Sequence, residues 1–249
     1  MALEPWRTGT VIRIEDATYN TRRFFIKVNE LESFNFKAGQ FVTLDLPIHE
    51  QKNKRWRSYS IASWPDGSNV FELLIVLLQD GAGTTYLFNE VSVGSELTFR
   101  GAQGVFTLPE NIEKDLFFIC TGTGIAPFRS MLNHMQLHSI SHKNLYLIFG
   151  CRTQQDLLYY DELKALENKI DNFHYMPTLS REGWDGYKGY VHSLYEEICK
   201  KNNEACEDMQ NLKPASFYLC GWKAMIDDAR QKIAALGYDR KAVHLELYG

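Results

Sequence analysis

Four consecutive residues, Arg57, Ser58, Tyr59 and Ser60, bring a guanidinium, a phenol and two hydroxyls into one short segment. Side chains alternate along an extended strand, so Arg57 and Tyr59 share one face while Ser60 points the other way or begins to turn. A guanidinium held beside a flat phenol suits a phosphorylated aromatic ligand, with the cation on the phosphate and the ring against the heterocycle. An ordinary strand with a surface arginine would carry the same residues, so this segment alone leaves both interpretations open.

A glycine-rich turn is the second chemical feature of the chain. Gly122, Gly124 and Pro127 lie between an apolar run and a helical stretch. The two glycines let the backbone approach a pyrophosphate, and the positive end of a helix favours its charge. Because proline in a first helical turn is also a plain start signal, the turn by itself is a weak indication of a dinucleotide site.

The two segments, taken together and in this order, resemble the ferredoxin–NADP reductase family. The resemblance implies that Arg57 grips a flavin phosphate, that Tyr59 packs on the isoalloxazine and that Ser60 faces its N5 atom. It also implies that the flavin is FAD rather than FMN. The residues of the second segment that it assigns to NAD(P) binding are Thr121, Gly122, Thr123, Gly124 and Pro127.

Small residues at the start of a predicted helix form a further candidate phosphate site. Gly83, Thr84 and Thr85 stand where exposed amides and the helix dipole attract phosphate, and a threonine adds a hydroxyl. A plain N-cap is the commoner meaning of such a turn. In the family that this chain resembles, a serine or threonine three residues before a leucine contacts the flavin phosphates, and Thr84 precedes Leu87 by three.

Cys220 ends an apolar run before a helical one, which places it at the carboxyl edge of a parallel sheet, where ligands bind. A buried, inert cysteine is the alternative. Near the end of the chain, alternation puts Glu246 and Tyr248 on one face. The resemblance implies that Cys220 lies beside the nicotinamide, that Cys220, Ser60 and Glu246 act near hydride and proton transfer, and that Tyr248 covers the flavin. Gly249 departs from the family by following that aromatic residue.

Coenzyme choice depends on a second group of residues. A 2′-phosphate needs cations and hydroxyls, whereas NAD is usually selected by an acidic residue on its ribose. Ser180 and Arg181 follow an apolar run, and Lys188 and Tyr190 follow a short loop later. These four resemble the elements that hold the 2′-phosphate in NADP-specific members, so NADP is predicted over NAD, although Glu182 adds an opposing charge.

The hydrophobic period changes near residue 112 and predicts two domains. Short alternating runs before it are typical of antiparallel strands, and fully apolar runs followed by helical stretches after it are typical of a parallel sheet with helices on its faces. We therefore predict an antiparallel β-barrel flavin domain over 1–110 and an α/β nucleotide-binding domain over 111–249. The predicted strands are 9–14, 23–28, 39–46, 57–63, 70–78, 96–100, 116–120, 144–149, 173–179 and 216–220, and the predicted helices are 127–137, 161–167 and 224–236.

Composition excludes several classes of protein. A chain of 249 residues with 45% hydrophobic and 23% charged residues is typical of a soluble globular protein. A net charge of -4 does not suggest nucleic-acid or membrane binding, and the absence of an apparent signal or spanning segment predicts a cytoplasmic protein. The five cysteines are odd in number and lack CxxC pairs, which argues against a disulfide framework and against a zinc or iron–sulfur site.

The resemblance implies an oxidoreductase that passes electrons between NADPH and a separate one-electron carrier, ferredoxin or flavodoxin, through FAD. Two alternatives remain: a flavin reductase or oxygenase reductase of the same fold, and a flavin-binding module without turnover. A local basic run, Lys52, Lys54 and Arg55, with Arg22 and Arg23 as a second cluster, is predicted to receive the acidic carrier. A solvated basic loop is the other meaning of these residues.

Overall fold

The computed structural model describes residues 4–204 and 212–248. Within these residues the main strands form two six-stranded sheets, one antiparallel and one parallel, which confirms the predicted fold class. Contacts divide the described chain into two units. One runs to Leu108 and includes Ala126–His134, and the other holds Pro109–Ile125 and the residues from Met135 onward. No helix in these two described ranges is long and apolar enough to cross a bilayer.

The first unit is a barrel whose strands lie in the order β4-β3-β6-β1-β2-β5. Its elements are Trp6–Thr18 (β1), Thr21–Val28 (β2), Phe41–Asp45 (β3), Trp56–Ser60 (β4), Val70–Val76 (β5), Ala82–Asn89 (α1) and Glu96–Gln103 (β6). An antiparallel bridge between Ile61 and Leu73 joins the two ends of this order, β4 and β5. The bridge closes the sheet, so its apolar side chains face one another instead of water.

Alternating apolar residues produce the barrel core. Phe24 on β2, Phe71 on β5 and Phe99 on β6 are fully buried, and the Phe71 and Phe99 rings meet edge to face with centroids 5.0 Å apart. Aromatic pairs of this geometry add to the free energy gained from burial. The barrel therefore supplies a rigid wall on which β4, the strand of the Arg57 segment, is fixed.

The second unit is a parallel sheet in the order β10-β9-β8-β7-β11-β12. Its strands are Asp115–Thr121 (β7), Leu145–Cys151 (β8), Phe173–Leu179 (β9), Tyr187–Lys188 (β10), Ala215–Trp222 (β11) and Val243–Tyr248 (β12). Its helices are Tyr160–Glu167 (α3), Val191–Asn202 (α4) and Lys223–Ala235 (α5). The helix Ala126–Leu137 (α2) follows β7 in the chain, and its first nine residues group with the barrel.

Helices α4 and α5 cover one face of the parallel sheet. Tyr195 of α4 and Ile226 of α5 are buried with Phe117, Phe217 and Leu219 in one core cluster. Because strand side chains alternate, the residues between these positions face the opposite side of the sheet. Cys120 and Cys220 belong to that opposite side.

The structure also defines the bounds of α4, the helix after β9, which the strand-and-helix pattern of the sequence indicated only in general. The signal for it was present, since Val191, Leu194, Tyr195 and Cys199 recur at helical spacing and are all buried. The three predicted helices begin and end within one residue of α2, α3 and α5.

Candidate functional site

The Arg57 side chain lies against the first turn of α1. A Cβ atom at Gly83 would stand 3.0 Å from Arg57 Cγ and 3.3 Å from its Nε, so glycine permits this close approach. Arg57 Nη1 donates to the carbonyls of Lys54 at 3.0 Å and Trp56 at 2.8 Å, which orients the guanidinium. A cation held at a helix N-terminus, where backbone N–H groups point outward, forms an anion site that fits a flavin phosphate.

The two threonines of α1 differ in their surroundings. The buried Thr84 hydroxyl accepts from Leu78 N–H at 3.1 Å and donates to the Gly81 carbonyl at 3.0 Å. Thr84 therefore closes the turn that precedes the helix. Thr85 is exposed at the same helix start and is the better placed of the two to donate to a phosphate oxygen.

Tyr59 and Arg57 are two residues apart on β4 and therefore share a face of the strand, where they lie opposite Val42 and Leu44 of β3. Burial raises the pKa of the Tyr59 phenol to about 12, and the charge of Arg57 opposes only part of this rise. The phenol is therefore neutral near neutral pH and offers an uncharged ring to a ligand. Ser60 is the next residue on the strand and is buried, at 3% exposure.

In the parallel sheet, the glycine turn between β7 and α2 has two glycines with different roles. Gly122 adopts φ +54, and an added Cβ there would meet no atom within 4 Å, so this side of the turn is open to a ligand. Gly124 instead faces β11, where an added Cβ would stand 2.4 Å from the Cys220 carbonyl oxygen. Gly124 thus permits the turn to lie directly against the backbone of Cys220.

The buried hydroxyl of Thr121 lies beside the same glycine turn. An added Cβ at Gly221, which has φ +145, would stand 2.6 Å from Thr121 Oγ1. Among the described residues this Thr121 oxygen has no hydrogen-bond partner, although buried hydroxyls normally have one. An unpaired polar atom beside the open Gly122 fits a site whose bound dinucleotide completes the hydrogen bonding. Thr123 and Pro127 lie in the same turn and the first turn of α2.

The register of β11 and β12 brings Cys220 and Glu246 side by side. Burial raises the pKa of the Cys220 thiol well above its usual range, the charge of Glu246 adds to the rise, and a hydrogen bond with Tyr248 opposes it. The thiol is therefore protonated near neutral pH, and its place beside a nicotinamide would be that of a neutral, polarisable contact. Cys220, Glu246 and Tyr248, all singled out from the sequence, therefore lie together at one edge of the sheet.

The residues predicted to choose the coenzyme also meet, at the carboxyl ends of β8 to β10. Lys188 pairs with Leu179, the residue before Ser180, and the Ser180 hydroxyl donates to the Cys151 carbonyl at 3.2 Å. Tyr190 follows Lys188 by two residues and is 75% exposed, with its side chain available to a ligand.

Sequence reasoning missed one residue of this group, Arg152. Its carbonyl accepts from Arg181 N–H at 3.0 Å, so two exposed arginines leave neighbouring strands at the same point. Neither arginine, nor Lys188, has an ion-pair partner among residues 4–204 and 212–248. Glu182 accepts from Gln154 N–H at 2.7 Å and from its side-chain amide at 3.0 Å, so its carboxylate is held by Gln154.

The basic residues proposed for docking differ in how far they are neutralised. Arg22 pairs with Asp16 at 2.9 Å, and Arg23 pairs with Glu72 at 2.7 Å. Arg55 pairs with Asp45 at 2.8 Å. Lys52 and Lys54, in a short 3₁₀ turn before β4, are exposed and belong to none of these pairs.

Family models match both units of the chain. Residues 8–108 match the oxidoreductase FAD-binding domain, and residues 118–231 match the oxidoreductase NAD-binding domain. The chain is 38% identical over 221 residues to ferredoxin–NADP reductase B of Sorangium cellulosum, an alignment that covers 87% of each chain. It is 33% identical over 201 residues to the anthranilate 1,2-dioxygenase electron transfer component of Acinetobacter baylyi, covering 79% of this chain and 53% of that protein.

The structure is also similar to solved structures along nearly its whole length. A ferredoxin–NADP⁺ reductase from Neisseria gonorrhoeae with bound FAD and NADP superposes with a TM-score of 0.78 at 27% identity, covering 97% of this chain and 98% of the other. An Amycolatopsis cytochrome P450 reductase superposes with a TM-score of 0.82 at 24% identity, covering 99% of this chain and 71% of the other, which indicates a shared fold.

Proposed function

Because this chain belongs to the ferredoxin–NADP reductase family of FAD- and NAD-binding oxidoreductases, we propose that it passes electrons between NADPH and a one-electron carrier protein through bound FAD. When bound, FAD supplies the conversion between the two-electron chemistry of NADPH and the one-electron chemistry of the carrier. A carrier of the ferredoxin or flavodoxin kind fits this role.

The chain's own residues have separable tasks in this proposal. Arg57 and the start of α1 bind the flavin phosphates, and Tyr59 presents its neutral ring to the flavin. The turn at Gly122 binds the pyrophosphate of the coenzyme, and Cys220 lies beside that turn. Ser60 and Glu246 are proposed to hold or move a proton near the reacting atoms.

The observation that carries this proposal is the direct packing of Gly124 on the backbone of Cys220. This packing supports the proposal, because the glycine turn and the buried thiol lie together at the carboxyl edge of the parallel sheet, where ligands bind in such folds. The test is anaerobic mixing of the purified FAD-loaded protein with NADPH, followed by ferredoxin, flavodoxin or ferricyanide. We expect rapid loss of flavin absorbance and reoxidation by a carrier protein; a flavin that NADPH leaves oxidised would contradict the proposal.

Replacement of Cys220 by alanine should slow the reduction of bound flavin by NADPH by roughly tenfold or more, because a contact that orients the reacting ring is lost. FAD content should not change, because the proposed contacts with the flavin phosphates, Arg57 and the start of α1, are left intact. Stopped-flow absorbance measures the rate. Cys199→Ala, another buried cysteine of that unit that lies on the α4 face, is the matched control and should reduce at the wild-type rate. Equal rates for all three proteins would leave Cys220 with a packing role only.

The carrier is proposed to approach Lys52 and Lys54. Opposed charges speed encounter and contribute less to final affinity, so a Lys52→Glu/Lys54→Glu variant should reduce the carrier slowly at low carrier concentration. Its reduction of ferricyanide should stay close to wild type, and rising salt should slow the wild-type protein steeply. Lys200→Glu/Lys201→Glu, at the exposed end of α4, is the matched control. A salt-independent carrier rate would place docking elsewhere.

A second function, reductase component of an oxygenase, is favoured by the similarity to the anthranilate dioxygenase component. The two functions differ in the acceptor, so the protein that is reduced fastest at equal concentration decides between them.

The cytoplasmic location expected from the sequence stays a prediction that cell fractionation would test.

A further inference from the structure

The barrel contains a buried ion cluster that none of the tasks above uses. Glu72 of β5 is 2% exposed and Arg129 of α2 is 4% exposed. Arg129 Nη1 donates to Glu72 Oε2 at 2.9 Å. Arg23 of β2 donates to the same carboxylate twice, from Nε to Oε1 at 2.7 Å and from Nη2 to Oε2 at 3.0 Å.

Such a cluster is a costly way to obtain stability. Removing charges from water is expensive, and a well-packed apolar group often stabilises a protein as much as a buried ion pair does. Arg23 is already paired with Glu15 at 2.9 Å, so the Glu72 carboxylate is not needed to neutralise it. The cluster therefore points to a specific arrangement of the elements that it joins.

The Glu72 and Arg129 side chains join the chain just after the flavin segment to the first turn of α2. Arg129 Nη1 also donates to the Ala62 carbonyl at 2.9 Å. Ala62 N–H donates to the Glu72 carbonyl at 2.8 Å, and Glu72 N–H donates to Ser63 Oγ at 3.0 Å. Ala62 follows Ser60 by two residues, so the same carboxylate-bearing strand supports the segment that carries the proposed flavin contact.

Arg129 lies close in the chain to the turn that is proposed to bind the coenzyme. It is the fourth residue of α2, which continues directly from the turn at Gly122–Ile125. The backbone N–H groups of that turn and of the first helical residues are those that would bind the pyrophosphate. If the Arg129 side chain lost its contacts with Glu72 and Ala62, the first turn of α2 would be free to move. The backbone N–H groups of the adjoining turn would move with it, because they are only a few covalent bonds away.

We propose that Glu72 and Arg129 are a positioning pair that fixes the first turn of α2 against the Ala62 segment, and so sets how NADPH is presented for flavin reduction. The inference rests on the proposed function. Neither residue touches the coenzyme in this proposal; they act through the backbone of the turn and of the Ser60 segment. A displacement of about 1 Å at a reacting centre can cost on the order of a hundredfold in rate.

The test compares two arginines that share one carboxylate. Arg129→Met removes the hydrogen bond by which α2 contacts the Glu72 carboxylate. Arg23→Met removes two hydrogen bonds to the same carboxylate but none that involves α2. Both should lower the melting temperature. Only Arg129→Met should slow the limiting rate of flavin reduction by NADPH, by roughly tenfold to a hundredfold, while FAD content and flavin reduction by dithionite stay at wild-type values.

Arg129→Lys is the second variant and keeps the buried charge. Both hydrogen bonds of Arg129 leave from Nη1, and the lysine ammonium group ends one bond short of that position and lacks the planar fork of the guanidinium. The limiting rate of Arg129→Lys should therefore lie between those of wild type and Arg129→Met. If Arg129→Met does not fold, a wild-type rate for Arg129→Lys overturns the proposal. Equal slowing by Arg23→Met overturns it as well. Failure of NADPH to reduce even the wild-type flavin would instead contradict the proposed function.

Discussion

Replacement of Arg57 by alanine is expected to weaken FAD binding by roughly tenfold or more, since a charge-assisted contact with a phosphate is worth on the order of 2 kcal/mol. Arg57 lies on Gly83 at the start of α1, and its own hydrogen bonds go to local carbonyls. Its guanidinium therefore remains available to an anion. Desalting the purified protein and measuring flavin absorbance, followed by titration with FAD, gives the change in dissociation constant.

Arg55→Ala is the matched control for this measurement. Arg55 stands two residues earlier and pairs with Asp45, so its loss removes a cation from the same region without touching α1. FAD binding should stay close to wild type. Gly83→Ala should weaken binding as well, because its Cβ would press on Arg57 Cγ. A colourless wild-type protein that binds no added FAD, or full FAD retention by Arg57→Ala, would remove the flavin phosphate from this site.

The second large effect concerns the coenzyme. Changing Arg152 and Arg181 together to glutamine should lower kcat/KM for NADPH by on the order of a hundredfold, since each charge-assisted contact contributes about 1.5–3 kcal/mol. The value for NADH should barely change, because NADH lacks the 2′-phosphate. Steady-state ferricyanide reduction with each coenzyme measures both values.

Each single variant should show part of this loss, and Arg152→Gln is the sharper test because only the structure points to it. Arg230→Gln, on the exposed surface of α5, serves as the control for a general loss of positive charge in the same unit. An equal loss with NADPH and NADH would mean that the two arginines contact the shared part of the coenzyme, or only support the loop.

The sequence alone was sufficient for the features that depend on local order. Alternating side chains predict strands, and an apolar run followed by a glycine turn and a proline predicts a strand, a turn and a helix start; β7 and α2 are found there. The order of the flavin and dinucleotide segments also indicated the family. These signals are readable because neighbours along the chain create them.

Contacts between residues far apart in sequence were decided only by the tertiary structure. Thr84 was a candidate for direct phosphate contact, yet its hydroxyl is taken up by a turn that only the folded loop creates. Arg152 lies beside Arg181, which the sequence assigns to coenzyme choice, because β8 lies beside β9. Gly124 is required for its approach to Cys220, nearly a hundred residues later in the chain.

Glu72 is the clearest example of a contact that the sequence alone does not reveal. In the sequence it is a single charged residue within the apolar run of β5. In the fold it is buried between Arg23 and Arg129, which come from two other parts of the chain. A buried charge is tolerated only where its partners meet it, and no local pattern along a strand records which partners those are.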